Sequence, residues 1–362
     1  MSTLSFIIPA YNAQTTLARC VSSICNQPYK DIEIIIVDDG STDNTLSTAN
    51  SLSCHDNRIH VFHQENMGVS AARNHGITQA SGDYLFFCDS DDWIESGAIS
   101  KTASILSSSP ADVFIFDHIR ETHQNSKCIQ LFSNQFLSND RTTIEVIQQL
   151  LLQIQPSKIP NPSFAFCNGL GGAAWHFIFR KELIESNQIQ FDSYLDGLLE
   201  DGLFVMTALE YSSSIEYHSF PLYHYCALGY TSTHGYHPDF DKRCERAIER
   251  FYAFGKEHQK KRDYYRGLNA RIMYFVNKLC EVDFFCSKNP FSEQERYYSF
   301  CATLTSKSFS KALKDLPIEQ LASSSEKIQA QLLSRGYFKL YWNLRKAKQQ
   351  IRNNVQKIKR KL

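Results

Sequence analysis

The chain has 362 residues, 43% of them hydrophobic and 13% aromatic, with 38 Lys and Arg balancing 38 Asp and Glu. That content supports a packed core and excludes wholesale disorder, and the length leaves room for two domains or one with an appendage. No run approaches the roughly 18 apolar residues of a membrane-spanning helix, Met1 to Pro9 lacks the regions of a signal peptide, and eleven cysteines without a CxxC pair read as reduced thiols, so a cytoplasmic protein is expected.

In chain order, Leu4 to Pro9 predicts a buried strand, and Thr15 to Ile24 a helix spaced on Leu17, Val21 and Ile24. Ile32 to Val37 predicts a second strand, followed by a turn and a helix capped near Ser41 or Asp43. Arg58 to His63 is a third strand, Val69 to Ala80 a helix, Tyr84 to Cys88 a fourth strand and Ile94 to Ser107 a helix. Continuous apolar strands in alternation with helices imply an α/β fold, a mostly parallel central sheet flanked by helices. Ligands of such sheets bind beyond the carboxyl ends of the strands.

There the polar residues are acidic. The first strand runs out into Pro9-Ala10-Tyr11-Asn12, the second into Asp38-Asp39-Gly40-Ser41 and the fourth into Asp89-Ser90-Asp91-Asp92, which gathers five carboxylates on one rim. Either cluster alone reads more readily as a turn or a helix cap than as a site. Two at equivalent strand ends repel one another and ask for a bound cation, and hard oxygen ligands suit Mg²⁺ or Mn²⁺ completed by substrate phosphates. Neither G-x-G-x-x-G nor G-x-x-x-x-G-K-[ST] occurs, which argues against dinucleotide and P-loop sites.

Four stretches, Phe6 to Asn12, Ile36 to Asp43, Asn66 to Asn74 and Gly82 to Asp92, resemble in order the motifs of glycosyltransferase family 2. The resemblance implies a GT-A fold, a nucleotide-sugar donor (a UDP-sugar), a divalent metal, Mn²⁺ or Mg²⁺, and inverting transfer to a glycan or lipid-linked acceptor in surface polysaccharide biosynthesis. It places Pro9, Ala10 and Tyr11 in the nucleoside pocket with Asp39 on the base, and Ser90 among the donor contacts. Asp89 falls on the ribose or the metal, and Asp91 becomes the main metal ligand. Asp92 is an outer ligand or a helix cap, and Arg73 either lies near the base and phosphates or is a surface arginine. Leu199-Glu200-Asp201-Gly202 resembles the element that supplies the family's base, which makes Asp201 the catalytic candidate and Glu200 an acceptor or orienting residue. Trp175, after the glycine-rich Gly169 to Gly172, is either the acceptor contact or a core aromatic, and His176 and Phe177 stand where the family often has Asn-Lys. His218, His224, His234 and His237 lack metal-ligand spacing and read as loop and core residues. Two other classes compete, a non-catalytic GT-A scaffold and an Asp-nucleophile phosphatase, and the latter is disfavoured by Asp92-Trp93 after the Asp-x-Asp.

The last third predicts helices over Asp239 to Lys260 and Tyr264 to Cys286, a break at Asn289-Pro290 and a linker at Ser323 to Ser325. The expected division is a catalytic domain over 1–235, a helical extension over 236–322 and a basic amphipathic helix over 323–362. From Lys327 onward there are eleven Lys or Arg and no Asp or Glu, so the tail carries +11 and the rest −11. An anionic membrane surface on the inner face of the cell, met through residues 330–362 with the cluster Tyr337, Phe338, Tyr341 and Trp342, competes with packing on the acidic body or a short coiled coil. No nucleic-acid motif accompanies the charge, and a nucleic-acid partner is not expected. Oligomeric state is open.

Overall fold

The structure, a computed structural model, describes residues 3–152, 170, 172–227, 235–321 and 323–359. The chain divides into two compact units, one of residues 1–151 with 156–229 and one of 152–155 with 230–362.

The first unit is built on β1 (Leu4–Ala10), β2 (Ile32–Asp39), β3 (Ile59–Gln64) and β4 (Tyr84–Phe87), separated by α1 (Leu17–Cys25), α2 (Thr45–Ser53) and α3 (Val69–Gln79). These four strands lie side by side, all parallel, in the order β3-β2-β1-β4. Every residue of β1, β2 and β4 is buried, as the unbroken apolar runs require of strands covered on both faces. Successive side chains alternate between the faces. Phe6, Ile8, Ile34 and Ile36 share a core with Leu17, Val21 and Ile24 of α1. On the other face α3 packs against β1 and β2, with Gly76 against Ile7.

Beyond β4 the sheet becomes mixed. It continues through β9 (Phe177–Arg180), which is antiparallel to both β4 and β6 (Val113–Glu121), then through β10 (Ile215–Cys226), parallel to β6. A two-residue strand, β5 (Trp93–Ile94), pairs antiparallel with Tyr223 and His224 of β10. This corrects the helix expected from Ile94. The helix α4 begins only at Ala98 and ends at Ser108, because Gly97 at φ +74 turns the chain first. Short strands β7 (Ser126–Ile129) and β8 (Phe136–Ser138) extend β6 and β10, and the described residues of the unit also form α5 (Arg141–Leu151), α6 (Lys181–Ser186) and α7 (Glu200–Tyr211).

In the second unit, α8 (Phe240–Glu257) and α9 (Arg262–Leu279) match the two expected helices, except that the second closes in a π turn at Cys280–Phe284. Then follow α10 (Glu293–Thr305), α11 (Lys307–Lys314), α12 (Ser324–Ser334) and α13 (Phe338–Lys359). Ser323 is a helix cap rather than a linker: its hydroxyl accepts from the Glu326 N–H at 3.1 Å, while the Glu326 carboxylate accepts from the Ser323 N–H. Gly336 at φ +75 breaks the expected single tail helix into α12 and α13.

One buried carboxylate holds the approach to β4. Glu33 on β2 accepts from the backbone N–H groups of Ser81 at 2.6 Å and Gly82 at 2.8 Å and from the hydroxyls of Ser5 and Ser81. Burial pushes its carboxyl up, but these donors outweigh burial and hold it below the usual range. A depressed carboxyl stabilises the fold above its unfolded pKa, and that stability is lost as pH falls through the folded value. Glu33→Leu, which strands the backbone donors, should lower unfolding free energy by about 2–5 kcal/mol. Urea titrations across pH should also show a shallower acid limb in the variant than in wild type.

Candidate active site

The carboxyl ends of β1, β2 and β4 carry the residues expected there. Pro9 and Ala10 are the last residues of β1, both buried, and Ala10 lies opposite Asp38 in the parallel register. Tyr11 emerges just beyond, half exposed. Ser90 is partly exposed and Asp91 exposed after β4.

Asp39 is almost wholly buried. Its carboxylate accepts from the N–H groups of Met67 and Gly68, each at 2.9 Å, and from the Gln64 amide at 2.8 Å. It therefore braces the turn that opens α3, and any contact with a base would use the capacity left on the same two oxygens. Asp38, fully buried, accepts from His63 Nδ1 at 2.7 Å, while its other oxygen has no partner.

Asp92 caps no helix, since β5 follows it and α4 starts only after Gly97. It is buried and accepts from the Tyr223 hydroxyl and the Cys226 N–H, each at 2.6 Å, which ties the end of β4 to β10. Burial, followed by repulsion from Asp89 and Asp91, pushes its carboxyl up to about 8.

Arg73 is the largest finding. It is no surface arginine: the side chain on α3 is 4% exposed and lies between the two acidic segments. Nη2 donates to Asp89 Oδ1 at 3.0 Å, Nη1 donates to Asp201 Oδ1 at 2.5 Å, and Nη1 stands 3.5 Å from Glu200 Oε1. The guanidinium also lies 5.2 Å from the centre of the Phe191 ring, in an aromatic wall where Phe191 stacks on Phe204 at 3.9 Å and both meet Phe87. Burial opposes its charge, and the three carboxylates more than restore it, so Arg73 stays protonated.

Glu200 and Asp201 open α7. Leu199 at φ +67 adopts a conformation unusual for a branched side chain, and the turn it makes directs both acids inward at the positive end of the helix dipole. Asp201 Oδ2 accepts from the Ala174 N–H at 3.3 Å. The approach is close: a Cβ on Gly172 would stand 2.8 Å from Gly202 Cα, so only glycine fits. Burial raises the Asp201 carboxyl against the pull of Arg73. Burial and then repulsion from Asp201 push Glu200 up to about 7.

Trp175 is mostly buried, 8% exposed, and its ring lies parallel to Tyr223 at 4.7 Å and to Tyr225 at 5.4 Å, as part of the core behind the site. Behind it His176 and His118 are 3.3 Å apart, and burial lowers His118 to about 4. Gly169, Gly171 and His234 lie outside the described residues. Sequence reading missed Asp196, which accepts from the Ser70 N–H at 3.1 Å and raises both Glu200 and Asp201. Its position in Asp196-Gly197, a turn signal, masked it.

Among the described residues no three His, Cys, Asp or Glu side chains form a ready metal cage. The donor set nevertheless fits a hard cation completed by substrate. Asp89 gives one oxygen to Arg73, the other has no donor among the described residues, and Asp91 stands exposed beside it. Loss of solvent at the rim and then repulsion from Asp89 raise the Asp91 carboxyl, the electrostatic state that a bound cation relieves.

Comparison with known proteins bears on family and fold. Residues 5–160 match the family model described as Glycosyl transferase family 2. The chain is 32% identical over 225 residues to the putative glycosyltransferase EpsH of Bacillus subtilis, over 61% of this chain and 60% of that protein. It is 40% identical over 116 residues to the GalNAc(5)-diNAcBac-PP-undecaprenol beta-1,3-glucosyltransferase of Campylobacter jejuni, over 32% of this chain and 38% of the relative. The chain thus spans less than two thirds of the length of either. The crystal structure of S. aureus TarS 1–349 in complex with UDP-GlcNAc superposes with a TM-score of 0.61 at 18% identity, covering 96% of this chain and 92% of that one, which shows the same fold.

Two stability measurements test the electrostatics. An acid raised on folding binds its proton more tightly in the native state, so stability falls as pH rises from the unfolded value, near 4.5, through about 7. Glu200→Gln should therefore raise the melting temperature at pH 8 and leave it unchanged near pH 4. Arg73→Met leaves three carboxylates facing one another and should cost about 3–5 kcal/mol at pH 8, with part recovered at pH 5.

Proposed function

From the match of residues 5–160 to the glycosyltransferase family 2 model, we propose that this chain is a member of that family and an inverting, metal-dependent glycosyltransferase. It moves a sugar from a nucleotide-sugar donor, a UDP-sugar, to a glycan or lipid-linked acceptor in surface polysaccharide biosynthesis. One observation carries the reading: a single buried guanidinium joins Asp89, on the donor rim, to Asp201, the base.

The roles follow from position. Pro9, Ala10 and Tyr11 form one side of the nucleoside pocket, and Asp39 braces its floor. Asp89 and Asp91 would hold Mn²⁺ or Mg²⁺ with the donor diphosphate, and the bound cation would neutralise charge on the leaving phosphates. Asp201 accepts the proton of the acceptor hydroxyl as its oxygen attacks the anomeric carbon opposite the diphosphate, which inverts that centre. Burial makes Asp201 a stronger base than an exposed carboxylate, and the Ala174 N–H fixes its orientation. Glu200, nearly buried beside it, orients the base or meets the acceptor, while Trp175 shapes the wall. Support for the donor comes from the likeness to a fold solved with UDP-GlcNAc, and for the acceptor from a relative named for an undecaprenol-linked saccharide. An acceptor anchored in lipid accords with a peripheral place on the inner face of the membrane, met through residues 330–362.

Asp201→Asn should leave donor binding intact and cut transfer by about 10²–10⁴-fold. Asp91→Ala should instead weaken Mn²⁺-dependent donor binding, measured by calorimetry. Normal turnover in Asp201→Asn would refute the base.

A further inference from the structure

The last helix, α13, has two apolar faces, and the second unit uses only one. Tyr341 and Trp342 are buried, 0% and 1% exposed. Tyr341 stacks on Phe300 at 5.7 Å, and Trp342 meets Phe285 at 4.4 Å and Phe300 at 5.3 Å. On the same side Arg345 donates to Asn277 at 3.0 Å and Lys346 pairs with Glu293 at 2.7 Å. Two of the aromatics expected at a membrane are therefore core, and they fasten the helix to its own unit.

A second row stands in solvent. Tyr337, Leu340, Leu344 and Ile351 are 55%, 52%, 47% and 65% exposed. They recur at intervals of three, four and seven, with exposed Ala347 in the gap, and at about 100° per residue all five fall within an arc of about 80°. In the sequence the same spacing continues at Val355 and Ile358. Exposed Arg335 and Lys348 accompany the row, while Lys339 lies over the Tyr297 ring on the packed side, and no acidic residue occurs from 327 to 362. No helix among the described residues is long and apolar enough to cross a membrane.

We propose that this row is the face by which α13 lies in the plane of an anionic lipid bilayer, with Tyr337, Leu340, Leu344 and Ile351 among the acyl chains and the flanking cations at the headgroups. An exposed apolar stripe bordered by cations and lacking anions is complementary to such a surface, which supplies an apolar interior beneath negative charge. A second copy of α13 would bring like charges together, and a nucleic acid would leave the apolar row unburied. The inference deepens the membrane part of the proposed function and rests on it only for the kind of partner, since the Asp89, Arg73 and Asp201 site plays no part in the argument.

The test is co-sedimentation of the full chain with vesicles of phosphatidylcholine alone or with phosphatidylglycerol, in low and high salt. Wild type should bind the anionic vesicles, ignore the neutral ones and weaken with salt. The combined Leu340→Ser, Leu344→Ser, Ile351→Ser variant, altered only at exposed positions, should bind at least roughly tenfold more weakly with an unchanged melting temperature. Arg335→Gln with Lys348→Gln provides a second, charge-only variant and should weaken binding while leaving the apolar row in place. Failure of wild type to bind anionic vesicles, equal binding by the triple-serine variant, or a wild-type dimer that this variant dissociates would each overturn the proposal. UDP-sugar binding measured on the same preparations separates the two readings. Vesicle binding lost with donor binding kept implicates only the surface, and the reverse implicates the active site.

Discussion

The site depends on one buried cation. Asp89, Glu200 and Asp201 come from segments more than a hundred residues apart, and none could be held close to the others without a positive charge among them. Arg73 supplies it from α3, held in place by the aromatic wall of Phe191, Phe204 and Phe87. A buried guanidinium facing three carboxylates leaves net negative charge, which agrees with the raised carboxyls of Glu200 and Asp201. In the proposed function, a donor diphosphate with its metal would enter a rim already organised around charge, and Asp201 would register its arrival through the same side chain.

Around that centre the structure separates rigid support from exposed chemistry. Asp92, Tyr223, Trp175 and Tyr225 form a closed wall in which the acid is hydrogen-bonded twice and the rings are stacked. Asp39 and Glu33 are likewise spent on backbone donors. Open at the strand ends are Tyr11, Ser90, Asp91 and one edge of Asp89, groups that the family resemblance or the proposed function assigns to the donor. The helical unit shows the same economy in α13, whose inner face is anchored and whose outer face is left free.

The parallel half of the fold was legible because fully buried strands must be apolar throughout, and the runs at Leu4, Ile32 and Tyr84 appear as strands within a residue or two of their expected limits. The carboxylates of the rim were legible for the same reason, as polar residues at the ends of those runs. Partners distant in sequence were not. Nothing in the spacing of Ile94 announces Tyr223, so a strand was read as the start of a helix. The partners of Arg73 lie 16 and 128 residues away, and spacing alone could not distinguish a clamp from a surface arginine. For Trp175, Tyr341 and Trp342 the sequence left contact with a partner and burial in the core both open, because an aromatic in a polar or basic context carries no mark of which neighbour covers it. The helical period of the tail was visible, but two interleaved apolar rows looked like one until the packing separated them.

The most direct measurement of the central claim, a metal-dependent nucleotide-sugar site at this rim, is a thermal-shift series on the intact chain with UDP-, GDP-, CMP- and dTDP-sugars, each with and without Mn²⁺. The account predicts a manganese-dependent rise in melting temperature with UDP-sugars. Indifference to every nucleotide sugar in the presence of the metal would contradict it.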